Sequence, residues 1–171
     1  MLDKKVAKLL NEQINKEFFS AYLYLDMSNY YYGKGLAGFG NWFKVQAQEE
    51  RDHAMLFLTY LQNNGQEVVL TAIEGPDQKY DNFKTPLDGA LEHEQFVTAS
   101  INTIYEEALK VKDFRTLEFL NWFVKEQGEE EKNAEELIQR YDLFGSDAKG
   151  LYMLDSEMGA RVYAAPSLVL D

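Results

Sequence analysis

The chain has 171 residues, enough for one domain with a sizeable core, and 46% of them are hydrophobic, a globular composition. Its formal charge of -12 excludes the basic footprint that nucleic-acid partners require, and the absence of cysteine excludes disulfides, thiolate zinc sites and iron–sulfur clusters. Any metal must therefore be held by oxygen and nitrogen ligands.

Periodicity predicts a first helix from Asp3 to about Lys34, broken at the Gly33-Lys34-Gly35 turn. Met1 to Leu10 already reads as an amphipathic helix rather than a signal-peptide core, and no apolar run nears the ~20 residues that span a bilayer. A cytoplasmic protein with no membrane partner is expected. The second helix, about Leu36 to Asn64, carries Phe39, Phe43, Gln46, Glu50, His53, Phe57 and Tyr60 at alternating steps of three and four, one continuous buried face. Gln66 to Lys84 holds no lasting period and predicts a long crossover running the height of a bundle. Thr85-Pro86, a hydroxyl N-cap followed by proline, opens a third helix to about Val111, with Leu87, Leu91, Glu94, Thr98, Ile101 and Tyr105 on one face. After a short connection near Lys112-Asp113, a fourth helix to about Phe144 keeps Leu120, Phe123, Gln127, Glu130, Ala134, Leu137 and Tyr141 in register. The expected fold is all-α, a single domain over 1–171. It comprises a four-helix bundle (1–144) with a long crossover between helices two and three, a short C-terminal fifth helix (146–162) and an irregular tail (163–171).

Each stripe is interrupted by polar residues near its middle. Glu17, Glu50 and His53 in the first half are matched by Glu94, Gln127 and Glu130 in the second, at the same separations of 33 and 36 residues and an offset of 77. Residues i and i+3 share a helix face, so each triplet sets three side chains on two neighbouring helices. Four carboxylates brought into a bundle interior cost several kcal/mol each unless compensated, and a pair of divalent cations compensates them. Oxygen-rich ligation with one imidazole suits iron or manganese better than structural zinc, although zinc competes. A single acid on an apolar stripe is ordinarily a hydrogen-bonded or partly exposed residue. Four helices contributing in register favour metal instead, and the unlike second triplet predicts two unlike metal positions. Glu49, Glu126 and Glu129 form a second acidic group, readable as a solvated face or as a third cation site. Tyr24 reads either as a core aromatic or as a hydrogen-bond partner or electron donor to the centre. His93, about 100° around the helix from Glu94, is not expected to be a ligand.

The stretches Ala47-Gln48-Glu49-Glu50-Arg51-Asp52-His53, Leu91-Glu92-His93-Glu94-Gln95 and Glu126-Gln127-Gly128-Glu129-Glu130-Glu131 resemble the metal-site segments of the bacterial non-heme ferritins. The resemblance runs over essentially the whole chain. It implies one iron held by Glu17, Glu50 and His53 with Gln127 close by, and a second held by Glu50 as bridge, Glu94 and Glu130. It further implies a third iron site at Glu49, Glu126 and Glu129 sharing Glu130, and Tyr24 as the tyrosine beside the centre. Bacterioferritins and rubrerythrins carry a second Glu-x-x-His where this chain has Gln127 to Glu130, and Arg51 stands where bacterioferritin's heme methionine would be, so no heme is implied. The family's activity is oxidation of Fe(II) to Fe(III) with dioxygen or peroxide and deposition as a mineral. Its assembly is a homo-oligomeric cage of 24 subunits, whose four-fold channels the fifth helix would line.

Overall fold

Two antiparallel helix pairs form the bundle in the computed structural model, which describes residues 2–170: α1 (Lys4–Gly33) lies along α2 (Ala37–Asn63), and α3 (Thr85–Lys110) along α4 (Phe114–Phe144). A short α5 (Ala148–Met158) crosses the ends of α2 and α4. Gly35 and Gly65, both with positive φ, turn the chain after α1 and α2. The crossover has no regular structure and is tied to α1, where the Asn11 side chain both donates to the Val69 carbonyl and accepts from its N–H at 2.9 Å.

Apolar residues bury in two clusters. One joins Leu10, Ile14, Phe57, Leu61, Ile101, Leu120 and Phe123; the other joins Leu23, Met27, Tyr31, Phe39, Phe43, Leu87 and Leu137 with Leu154 from α5. On each long helix the polar residues of the stripe fall between the two clusters, so apolar packing above and below fixes the height of a single polar layer. α2 and α4 meet through long side chains, as where Phe57 lies 4.3 Å from Phe123 between ring centroids.

Three expectations are corrected. Thr85 is inside α3 rather than its cap: Lys84 holds that position without a side-chain bond, and Asn82 Oδ1 accepts from the Lys84 and Thr85 N–H groups at 2.9 and 3.1 Å. The buried face of α3 runs Leu87, Ala90, Glu94, Val97, Ile101, Ile104, because the helix leans on α1 as well as α4, and Leu91, Thr98 and Tyr105 are only half-buried. The fifth helix is shorter than 146–162: Asp147 caps it by accepting from Lys149 and Gly150 N–H at 3.0 Å, and it stops before Gly159.

α2 begins without a cap of its own, and Asp155 of α5 supplies one by accepting from the Phe39 N–H at 2.9 Å. This contact needs Gly38, since a Cβ there would lie 1.6 Å from the Asp155 carbonyl oxygen. Gly38→Ala is therefore expected to push α5 off α2 and cost about 1–3 kcal/mol, the range of overpacking. Hydrogen exchange should quicken in α5 and at the start of α2 while the centre of the bundle stays protected; uniform exchange across both would contradict this.

Candidate metal centre

Glu17 on α1, Glu50 and His53 on α2, Glu94 on α3, and Gln127 and Glu130 on α4 are all buried, none more than 5% exposed. One ligand atom each of Glu17, Glu50 and His53 lies within 4.8 Å of the others. His53 Nδ1 is 3.4 Å from a Glu50 oxygen, and the ring is edged by Trp122 and Phe123 at 5.5 and 5.9 Å between centroids. The remaining carboxylates are held by neutral donors. Glu94 accepts from the Tyr24 hydroxyl and, at 3.0 Å, from Gln127 Nε2. Glu50 and Glu130 both accept from Gln46 Nε2 at 2.9 Å, so one amide joins them. Glu17 accepts from Gln13 at 2.8 Å, Gln13 from Ser100 at 2.7 Å, and Ser100 from Lys16 at 2.5 Å.

Gln13, Gln46, Ser100 and Lys16 were not legible as site residues. Their one signal is a glutamine four residues before each of Glu17 and Glu50, one turn away on the same face. His93 stands apart from the carboxylates, with Nε2 at 2.7 Å from Ser20 Oγ and its ring edge-on to Tyr24. The second acidic group is divided. Glu49 is ion-paired with Arg161, Glu126 is half-buried, and exposed Glu129 lies 3.5 Å from Lys125 on its own helix.

Burial, then the Glu50 charge, pushes Glu17 up to about 8, and the same two causes push Glu130 up to about 7. Burial, with the charges of Glu50 and Glu130, raises Glu94 well above the usual carboxylate range. His53, which burial alone would depress, is raised to about 10, chiefly by Glu50. Burial likewise opposes ionisation of Glu50, but the charge and hydrogen bond of His53 hold it below its ordinary value. Tyr24 is raised by burial and by Glu94, so it stays a neutral donor. Two buried oxygens of this layer, Glu17 Oε2 and Gln46 Oε1, have no hydrogen-bond partner among the described residues, a cost of about 1–3 kcal/mol each that a cation within reach would offset.

Fold and site together define a carboxylate-rich, four-helix metal-binding bundle. The ferritin family, by its ferritin-like domain, matches residues 7–144. The bacterial non-heme ferritin of Campylobacter jejuni is 43% identical over 155 residues, 91% of this chain and 93% of its own. That of Staphylococcus aureus is 35% identical over 163 residues, 95% of this chain and 98% of its own. Among solved structures, a closed form of Archaeoglobus fulgidus ferritin engineered by site-directed mutagenesis superposes with a TM-score of 0.93 at 41% identity, covering 96% of this chain and 100% of that one. The chain belongs to the ferritin family. Its function is iron storage. Among the described residues no helix is long and apolar enough to cross a membrane.

Glu17, Glu130 and His53 each bind a proton more tightly in the folded chain than at their ordinary values of 4.5, 4.5 and 6.5. Such groups stabilise the fold below the ordinary value, and that stability is lost as pH rises through the folded value. Glu50 works in the opposite sense, but only below 4.5. The metal-free protein is therefore expected to melt at progressively lower temperature from about pH 5 to about pH 9. Divalent cations should flatten that slope and release protons on binding. A melting temperature that climbs across this range would contradict these protonation states.

Proposed function

We propose that this chain oxidises Fe(II), its substrate, at two adjacent positions. Glu17, Glu50 and His53 hold one ion; Glu50, Glu94 and Glu130 hold the other, with Gln127 beside them. The observation that carries this is the buried triad of Glu17, Glu50 and His53, which includes a carboxylate oxygen with no partner. Hard anionic oxygens favour Fe(III) over Fe(II), so the ligand set itself assists oxidation. Each of two Fe(II) ions gives up one electron. Dioxygen takes the pair, with two protons, to become hydrogen peroxide, or peroxide takes the same to become two waters. Tyr24, which donates to Glu94, fixes that carboxylate's orientation. An all-carboxylate second position gains less Fe(II) affinity than one with imidazole and is the weaker of the two. Glu49, Glu126 and Glu129, with Glu130, form a third position through which Fe(III) passes towards a mineral.

The same reading takes the chain as one subunit of a hollow 24-subunit cytoplasmic cage with no heme. Support comes from exposed apolar surface that a monomer would leave wet. Tyr22 and Tyr32 are 51% and 48% exposed, and Tyr22 lines an apolar groove of about 530 Å³ with Phe18, Leu25 and Ile73. Phe19 and Tyr30, by contrast, are half-buried against the bundle.

Stopped-flow mixing of the metal-free protein with Fe(II) and oxidant tests the centre. Glu50→Ala and His53→Ala are each expected to slow the fast oxidation phase at least about tenfold, since even partners behind the ligands commonly cost that much. Particle size should be unchanged in both and far above the 19.8 kDa of one chain. Undiminished fast oxidation in both variants would reject the site, and a stable monomer would reject the cage.

A further inference from the structure

Beyond α5 the chain does not leave the bundle. Residues 160–170 run back over α2 and α4 as an extended strap with four anchors. The Arg161 guanidinium pairs with Glu49 at 2.5 Å, lies 4.2 Å from the Trp42 ring centroid, and donates to the Trp42 carbonyl at 3.4 Å. Asn41 Nδ2 holds the Arg161 carbonyl at 3.0 Å. The Tyr163 hydroxyl donates to Asp52, and Ser167 Oγ accepts from the Trp122 indole N–H at 2.9 Å. Leu168 and Leu170 pack on the apolar cluster around Phe57 and Phe119. From Arg161 to Leu170 the half-buried residues are Arg161, Tyr163, Pro166, Leu168 and Leu170, which press one edge of the strap against the helices while Val162 and Val169 face solvent.

The strap lies over the side of the bundle where α2 and α4 meet through side chains rather than close backbone. Two of its contacts bear on the centre. Trp122, which holds Ser167, is edge-on to the His53 ring, and Glu49 precedes Glu50 in the chain. Against the carboxylates Glu49, Glu126, Glu129 and Glu130 at this mouth stand His53 from within and, nearer the surface, Lys125 and Arg161. Lys125 is largely exposed and pairs with Glu129 on its own helix; Arg161 is held at 19% exposure against a Glu49 that is 18% exposed. Its charge is felt by Glu130 as well as by Glu49.

We propose that Arg161 is a tethered counter-ion that competes with a metal ion for Glu49, so that the strap governs when the third position fills. This rests on the third metal position proposed above. A guanidinium donates hydrogen bonds and cannot ligate; seated on Glu49 Oε2 it leaves Oε1 open, but two cations on one half-buried carboxylate repel each other, so a metal ion at Glu49 and a seated Arg161 compete. While Arg161 is seated, the mouth is partly neutralised and an ion at the centre gains little by moving outward. Once an ion takes Glu49, the hold of Arg161 on that carboxylate weakens, and the ring stacking and the bond to the Trp42 carbonyl, with Asn41 on the Arg161 carbonyl, must carry the strap's first anchor.

Zinc, which neither oxidises nor quenches by redox chemistry, serves as the probe. Calorimetric titration of Zn(II) into the assembled, metal-free full chain should show two tight equivalents per subunit and a weaker third. The third should arrive with a change in tryptophan emission, because the chain's two tryptophans, Trp42 and Trp122, are both strap anchors. In Arg161→Gln the third equivalent should tighten at least about tenfold, the scale of a partly buried charge pair, with the first two unchanged. Adding Glu49→Gln to that variant should remove the third equivalent. Should Arg161→Gln not assemble, Tyr163→Phe frees the neighbouring anchor with every carboxylate in place and must shift the third equivalent in the same direction. An unchanged third affinity in these variants, or a third equivalent that leaves tryptophan emission unaltered, overturns the inference. Because the first two equivalents report the buried centre and the third reports Glu49, failure of either reading shows separately.

Discussion

The mutual repulsion of carboxylates in a low-dielectric interior is the constraint on which the rest of this structure depends. Glu17, Glu50, Glu94 and Glu130 come from four different helices into one dry layer, where like charges a few ångströms apart interact far more strongly than in water. No fully buried Lys or Arg neutralises them: among the described residues the one buried cationic group in the layer is His53, and it answers mainly Glu50. The others are steadied by neutral donors, the amides of Gln13, Gln46 and Gln127 and the hydroxyl of Tyr24. Neutral donors orient a carboxyl group without supplying a charge, so Glu17, Glu94 and Glu130 relieve the repulsion by holding protons, which divalent cations can displace. A set of buried lysines would have neutralised the layer and left it useless for binding metal.

A layer under that internal repulsion needs rigid support. The two apolar clusters supply it from above and below, with tilted and edge-on rings at Phe57, Phe123 and Phe119 on one side and stacked rings at Tyr31, Phe39 and Phe43 on the other. Burying a side chain of this size contributes about 1.5–3 kcal/mol, so a few such residues on either side offset the cost of one strained carboxylate. α5 adds to this at one end, since Asp155 completes α2 where its own sequence offers no capping side chain.

How much of this was legible in the sequence varies with how local its cause is. The α2 stripe from Phe39 to Tyr60 is buried at all seven expected positions, because a period of three and four over that length admits one solution. On α3 two solutions share Leu87, Glu94 and Ile101, and only the lean of the helix on α1 selects Val97 and Ile104 over Thr98 and Tyr105. The six residues of the matched triplets were legible from spacing, and the fold buries them at one height. The strap was not legible at all. Its anchors Trp42, Asp52 and Trp122 lie on two different helices, and no pattern within residues 160–170 announces surfaces that exist only after the bundle has formed.

The hydrogen bonds leading to Glu17 all run one way. Lys16 donates to Ser100, Ser100 to Gln13, and Gln13 to Glu17, so every donor points inward from an ammonium at the periphery. An amide can pass on polarisation but holds no exchangeable lone-pair site at nitrogen, so this line cannot carry a proton out by hopping from group to group. It acts as an insulated strut: it lends Glu17 some of the Lys16 charge at a distance while closing that side of the centre to proton traffic. Protons displaced from the carboxylate layer must leave by another face of the bundle.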